Sequence, residues 1–354
     1  MKALRYLGPK QALALQEVPV PEPKAGEVRV KVAASGLCHT ELHFQSGLLD
    51  IGVHGVTMGH EAVGHIDAVG PGVDGARIGE RVIVYYYFGC GVCEACRRGD
   101  EQICAAPRAQ FGFVSDGGDA EYLTCPARNA VVLPAGISDV EAAPIGCAVT
   151  TAVHASKLAE AQPEEWVVVY GIGGVGLALV QLAKSRGQRV IAVGRDPRKL
   201  ALAKELGAEY TLSPIGIDVA TTIGSRVDSI APVPDLPTRI KALTGGGADV
   251  IYECVGSRET MDTALASLGK RGRLVMIGYS EASLTVHPIQ LIVHEQKVLG
   301  SVGATLQDLH EAIDLVARGV VRNPIARTVK LEAHEEALAA LAAGDVVGKI
   351  VFVP

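Results

Sequence analysis

Aromatic residues are scarce in this 354-residue chain: Phe, Trp and Tyr together make up 4%, with a single tryptophan. Basic charge is not in excess either, since 33 Lys+Arg face 39 Asp+Glu and the formal net charge is -6. Nucleic-acid binding needs a basic footprint or aromatic stacking platforms, so the composition argues against that class. No stretch reaches the roughly 18 uninterrupted apolar residues of a membrane span. Residues 1–18 turn polar too early for the apolar core of a signal peptide, which gives the expectation of a cytoplasmic protein. Charged residues at 20% against 48% hydrophobic exclude a disordered chain. At roughly 150 residues per domain, the length predicts about two domains, each with its own core.

Glycine and cysteine are abundant. The 41 glycines exceed an average usage of about 7% and point to tight turns and close backbone approaches. Eight cysteines without an export signal suit metal or catalytic roles better than disulfides. Cys90, Cys93, Cys96 and Cys104 cluster, whereas Cys38, Cys125, Cys147 and Cys254 are scattered.

The first 140 residues read as β-rich, with strands such as 27–32 and Ala62–Val69 separated by Gly and Pro. From about residue 150 the pattern changes to strands alternating with helices. Strands are expected at Trp166–Tyr170, Arg189–Val193, near Tyr210, at Ala248–Glu253 and at 273–277; helices are expected after residue 174, at 197–206 and at 261–268. Such alternation means βαβ units and a parallel sheet. A helix at 306–318 and a final strand at 349–353 close the chain. Residues 214–237 form a long Pro- and Gly-punctuated link of the kind that is usually functional or mobile.

Cys90-x2-Cys93-x2-Cys96-x7-Cys104 places four thiolates on one loop, enough to saturate a tetrahedral Zn²⁺ in a closed, structural site. Alternatives are a chance cluster of buried cysteines, or a zinc ribbon on DNA; for the latter only Arg97 and Arg98 supply local positive charge. Cys38, His60 and Cys147 each sit in a Gly-flanked, loop-like context. Taken singly, each reads as an ordinary buried residue. As a set they match the known Cys₂His pattern of zinc sites that keep one position open for chemistry. Thr40 and His43 follow Cys38 at +2 and +5, where a hydroxyl can pass a proton to an imidazole nearer solvent. The plainer alternative is a turn threonine and a surface histidine. Glu61 is expected to tune the metal from beside His60.

Gly171-Ile-Gly173-Gly174-Val175-Gly176 follows an apolar strand and opens a helix, the context that a dinucleotide fingerprint requires. The strand-end position that holds a ribose-binding acid in NAD enzymes is Gly194, followed by Arg195. Asp196 precedes Pro197 and reads as a helix N-cap. Room at Gly194, with Arg195 to bind a 2′-phosphate and Arg198 or Lys199 in reserve, favours NADP(H) over NAD(H).

With these residues in place, the chain resembles the zinc-dependent medium-chain alcohol dehydrogenase family over essentially its whole length. The resemblance rests on Gly36-Leu-Cys38-His-Thr40, Gly59-His60-Glu61, the four-cysteine loop, the 171–176 glycines and the closing Gly348-Lys349-Ile-Val. It implies an α/β fold, a Rossmann-type doubly wound parallel sheet inserted into a β-rich, GroES-like catalytic domain. On this basis residues 1–148 and 288–354 form the catalytic domain and 149–287 the cofactor domain, with the active site in the cleft. Cys38, His60 and Cys147 then look like the catalytic zinc ligands, Thr40 and His43 like the proton relay, and Cys90, Cys93, Cys96 and Cys104 like the structural zinc site. Gly278, Ser301 and Val302 fall where the family lines the nicotinamide, and Lys349 joins the expected cofactor contacts. A homodimer or homotetramer acting on a small alcohol, aldehyde or ketone follows, without nucleic acid or membrane.

Two features depart from the family. Residues 48–58 lack the proline-rich approach to Gly-His-Glu, and residues 214–237 read as an insertion of roughly fifteen residues against usual loop lengths. Two rival functions compete: a zinc-free enoyl or quinone reductase on the same scaffold, and a non-catalytic dinucleotide-binding protein. The first has no need of the cysteines, and the second has no use for an open coordination position.

Overall fold

The computed structural model describes residues 1–214 and 234–354. It divides into two compact units, Met1–Thr150 with Gly303–Pro354, and Thr151–Val302. The expected link at 214–237 lies, for residues 215–233, outside the described residues. Among the described residues, no helix is long and apolar enough to cross a membrane.

The first unit is built on antiparallel β-structure. Its largest sheet runs Ala130–Val132, Arg81–Val84, Ala62–Val69, Glu27–Gly36, Lys349–Phe352, Ile325–Val329, with Tyr122–Pro126 also paired to Glu27–Gly36. In Glu27–Gly36 the residues Val28, Val30, Val32 and Ala34 are all buried at every second position, as one face of a pleated strand requires. The C-terminal tail completes this unit. Leu331, Leu338, Val346, Ile350 and Phe352 pack into one core with Leu4, Tyr6, Leu37, Phe44 and Met58.

The second unit holds a six-stranded sheet ordered Tyr210–Leu212, Arg189–Val193, Trp166–Tyr170, Ala248–Glu253, Leu268–Met276, Lys297–Gly300, every pairing parallel. Numbered along the unit this is 3-2-1-4-5-6, the doubly wound order. All five residues of Trp166–Tyr170 are buried, because helices cover both faces of such a sheet and leave no polar side. The order reverses between Trp166–Tyr170 and Ala248–Glu253, the point where open α/β sheets bind ligands at the carboxyl ends of strands.

Several boundaries differ from expectation. Residues 288–302, expected with the catalytic domain, fall in the second unit, because Lys297–Gly300 pairs in register with residues 273–276 of the Leu268–Met276 strand. That strand begins five residues before residue 273, at Leu268. Cys38 lies at a helix start and not within a loop: it N-caps His39–Ser46, a polar helix with no apolar period to betray it.

Candidate active site

The four-cysteine loop closes on itself. Cys93 caps the short helix Glu94–Arg98, and Gly99 ends it in the left-handed conformation. Backbone N–H groups of Cys93 and Cys96 donate to the Sγ atoms of Cys90 and Cys93, at 3.3 and 3.5 Å. The sulfurs of Cys90 and Cys96 lie 3.9 Å apart, and those of Cys93 and Cys104 lie 3.8 Å apart. Tetrahedral Zn²⁺ with Zn–S bonds of about 2.3 Å needs about this spacing, so the donors fit the ion. Charge crowding points the same way. N–H donation from Val92 and Cys93 lowers the Cys90 pKa to about 6. The N–H of Gly91 favours the Cys96 thiolate, yet burial and three neighbouring sulfurs push it up to about 12. A dication resolves that conflict.

The scattered residues converge in the first unit. Ligand atoms of Cys38, His60, Glu61 and Cys147 all lie within 4.8 Å of one another. The Gly36 end of the Glu27–Gly36 strand and the following helix deliver Cys38, and the helical turn Ala143–Gly146 ends at Cys147. Gly59 turns the chain before His60 with φ +93°, and a Cβ there would strike the backbone of Asp119. Two thiolates, an imidazole and a nearby carboxylate, with a Glu61 oxygen left unbonded, fit a zinc ion with room for exchange.

Sequence reasoning missed the polar shell around this cluster. Glu41, fully buried, accepts the Cys38 N–H at 3.0 Å while its other oxygen lies 3.7 Å from His60 Nδ1. Its position three residues after the cap was the available signal, as in a capping box. Burial raises the Asp119 carboxyl to about 6, although Ser35 Oγ donates to it at 2.6 Å. Burial lowers the His60 pKa, but Cys38, Glu41 and Glu61 outweigh it and hold it at about 9. The Cys38 thiol falls well below its usual range, led by a hydrogen bond from Cys147, whose own thiol rises. Tyr86 and Phe113 wall the cluster: their rings stack at 5.8 Å and lie 5.2 and 5.1 Å from the His60 ring. The signal here was three consecutive tyrosines, 85–87, in a chain with nine.

Thr40 Oγ1 lies 3.6 Å from Cys38 Sγ, and His43 sits half-buried one turn along the same helix. Burial holds the His43 pKa below its ordinary 6.5. Lys349 was expected to contact cofactor. Its ammonium donates to Glu61 Oε1 at 2.6 Å, because the final strand pairs with Ser35 and Gly36 and so lies beside the candidate ligand set.

The glycine loop belongs to the second unit. Gly171 leaves the Trp166–Tyr170 strand with φ +92°, and a Cβ on Gly176 would overlap the Gly171 carbonyl oxygen, so helix and loop can approach only with glycine at 176. No side chain caps the helix Gly174–Ser185 at Gly173, which leaves its first N–H groups for an anion. Val175 lies in that first turn. Gly194 ends the Arg189–Val193 strand, and Arg195 is exposed beside it. Asp196 accepts the Arg198 N–H at 2.8 Å and pairs with its guanidinium at 2.7 Å, so Arg198 is not held in reserve for a phosphate. Gly278 N–H donates to Glu253 O at 2.9 Å. Ser301 Oγ is buried without a hydrogen-bond partner among the described residues, and Val302 is exposed.

Comparison with known proteins agrees with this arrangement. Residues 24–135 match a family model described as alcohol dehydrogenase GroES-like domain, and residues 174–318 match one described as zinc-binding dehydrogenase. An alcohol dehydrogenase of Geobacillus stearothermophilus is 36% identical over 97% of this chain and 96% of its own length. An NAD-dependent alcohol dehydrogenase of Sulfurisphaera tokodaii is 32% identical over the full length of both chains. The crystal structure of the alcohol dehydrogenase from Aeropyrum pernix superposes with a TM-score of 0.89 at 33% identity, covering 100% of both chains. Full-length identity at this level, on a chain that gathers Cys38, His60 and Cys147 and builds the doubly wound sheet, means that the protein belongs to the zinc-type alcohol dehydrogenase family.

Proposed function

We propose that this chain interconverts a small alcohol and its aldehyde or ketone, using two zinc ions per chain and NADP(H) in preference to NAD(H). The observation that carries it is the pair of ligand clusters, one of four sulfurs and one of mixed donors. Cys38, His60 and Cys147 would hold a Zn²⁺ that supplies Lewis-acid polarisation of the alcohol oxygen, and a bound nicotinamide would supply the hydride acceptor. The chain's own residues do the rest. Glu41 orients His60, Lys349 holds Glu61, and Thr40 takes the hydroxyl proton and passes it toward His43, which is neutral at pH 7.

On the cofactor side, Gly171, Gly173, Gly174, Val175 and Gly176 would cradle the pyrophosphate, Gly194 and Arg195 would receive the ribose, and Gly278, Ser301 and Val302 would line the nicotinamide. Support for NADP(H) is the commitment of Asp196 to its helix and to Arg198, which leaves no strand-end carboxylate to repel a 2′-phosphate. The relative from Sulfurisphaera tokodaii is named NAD-dependent, so this preference is a departure to be tested. A homodimer or homotetramer is supported by the edge strand Lys297–Gly300 beside Ile289, Ile292 and Val293, which are 68%, 73% and 60% exposed. Reduced, metal-ready cysteines suit the cytoplasm. The deciding experiment is a panel of small alcohols run with both cofactors, alongside zinc analysis of the same preparation. Turnover in zinc-free protein would favour the reductase alternative, and cofactor binding without turnover the non-catalytic one.

A further inference from the structure

The tyrosine run 85–87 passes from one sheet to another, starting after the Arg81–Val84 strand ends and entering the Tyr87–Phe88 strand at its last residue. Arg81–Val84 pairs with Ala130–Val132 as far as Val84 opposite Ala130. One more rung, Tyr85 N–H to Asn129 O at 2.8 Å, ends that ladder. Tyr87–Phe88 then pairs with Ala109–Gln110 in a separate two-stranded sheet. In the gap, the side chain of Asn129 stands in for a strand: its Nδ2 donates to Tyr85 O and to Tyr87 O, each at 2.7 Å. Asn129 is fully buried, so no water can replace those bonds. Two carbonyl acceptors also settle which end of the amide is which. Between them Tyr86 O accepts the Phe111 N–H at 2.9 Å. Three successive carbonyls are therefore held, and the ring they aim is Tyr86, stacked on Phe113 against His60.

We propose that Asn129 is a positioning residue for substrate selectivity, clamping the backbone on both sides of Tyr86 and so fixing the aromatic wall of the zinc-ligand cluster. The proposal rests on reading that cluster as the site of alcohol oxidation. The test is the ratio of kcat/KM for benzyl alcohol to that for ethanol. It is measured in the unaltered protein, in Asn129→Ala, in Tyr86→Ala and in the double variant, with zinc content and NADPH affinity measured alongside. Asn129→Ala should shift the ratio by about tenfold while retaining zinc and NADPH binding, as a small misplacement of a contact surface does. In the Tyr86→Ala background the same change should shift it by less than about twofold, because nothing remains to be positioned.

A ratio unchanged in Asn129→Ala, or an equal shift with Tyr86 absent, overturns the proposal. If Asn129→Ala does not fold, Asn129→Ser, which keeps one donor, is measured in its place; failure of both to fold makes the residue purely structural and equally overturns it. Absence of any alcohol turnover in the unaltered protein is a different result. It overturns the alcohol reading itself, and with it this inference, ahead of any comparison among variants.

Discussion

Lys349 Nζ donates to Glu61 Oε1 across 2.6 Å, tying the last strand of the chain to the residue next to His60. The side chains are 10% and 0% exposed. Burial pulls the lysine pKa down, but Glu61 and the sulfurs of Cys38 and Cys147 outweigh it and hold the ammonium above the ordinary lysine range. The cation thus answers a local excess of negative charge.

Lys349→Met should leave Glu61 buried and uncompensated. The expected loss of stability is about 3–5 kcal/mol, as for one partner removed from a buried ion pair. Urea denaturation of the metal-loaded protein measures it. The double variant Lys349→Met, Glu61→Gln should recover part of that loss, and an additive double variant would show that the pair is not coupled.

The two sulfur-rich clusters should separate on substitution. Cys93→Ser is expected to lose one zinc per chain and to impair folding, since the residues around 90–104 lack a core of their own. Cys38→Ser should stay folded, by circular dichroism, and lose turnover. Normal kcat in Cys38→Ser would remove that residue from catalysis.

His43 sets a pH dependence. Its folded pKa lies below 6.5, so between the two values the unfolded chain binds more protons. Its share of stability is complete above pH 6.5 and declines as pH falls through the folded value. If the proton relay runs through His43, the neutral ring is the form that accepts the proton near pH 7. His43→Gln should lower kcat/KM for alcohol oxidation by about 10²-fold at pH 7 and recover part of it at higher pH. An unchanged pH–rate profile would leave Thr40 relaying directly to water.

Cofactor choice turns on Arg195. If it binds a 2′-phosphate, Arg195→Ala should raise KM for NADP about tenfold or more and leave NAD nearly unaffected, a loss of one charge-assisted contact. A clear NAD preference, indifferent to Arg195→Ala, would show that Asp196 breaks from Arg198 and reads the ribose.

Much of the fold and of the metal chemistry is legible in the order of the residues. The x2 spacings of the four-cysteine loop bring the sulfurs together locally, and the apolar Trp166–Tyr170 run followed by glycines states both a buried strand and a tight turn into a helix. Asp196 before Pro197 reads as a cap, and it is one. The helix after Cys38 is not legible, because its eight residues carry charge and polarity without an apolar stripe. Nor is the partner of Lys349, 288 residues away from Glu61 in sequence.

Local order is therefore what the sequence by itself determined: strand and helix periods, turn glycines, the sulfur loop and the dinucleotide turn, each set by interactions within a few residues. Tertiary structure decided which distant side chains meet. Only the pairing of Lys349–Phe352 with Glu27–Gly36 places Lys349 on Glu61, and only the seam between two sheets makes Asn129 the partner of Tyr85 and Tyr87. The physical reason is burial. A polar group removed from water must find its partner wherever the fold brings one, and no short window of sequence records that choice.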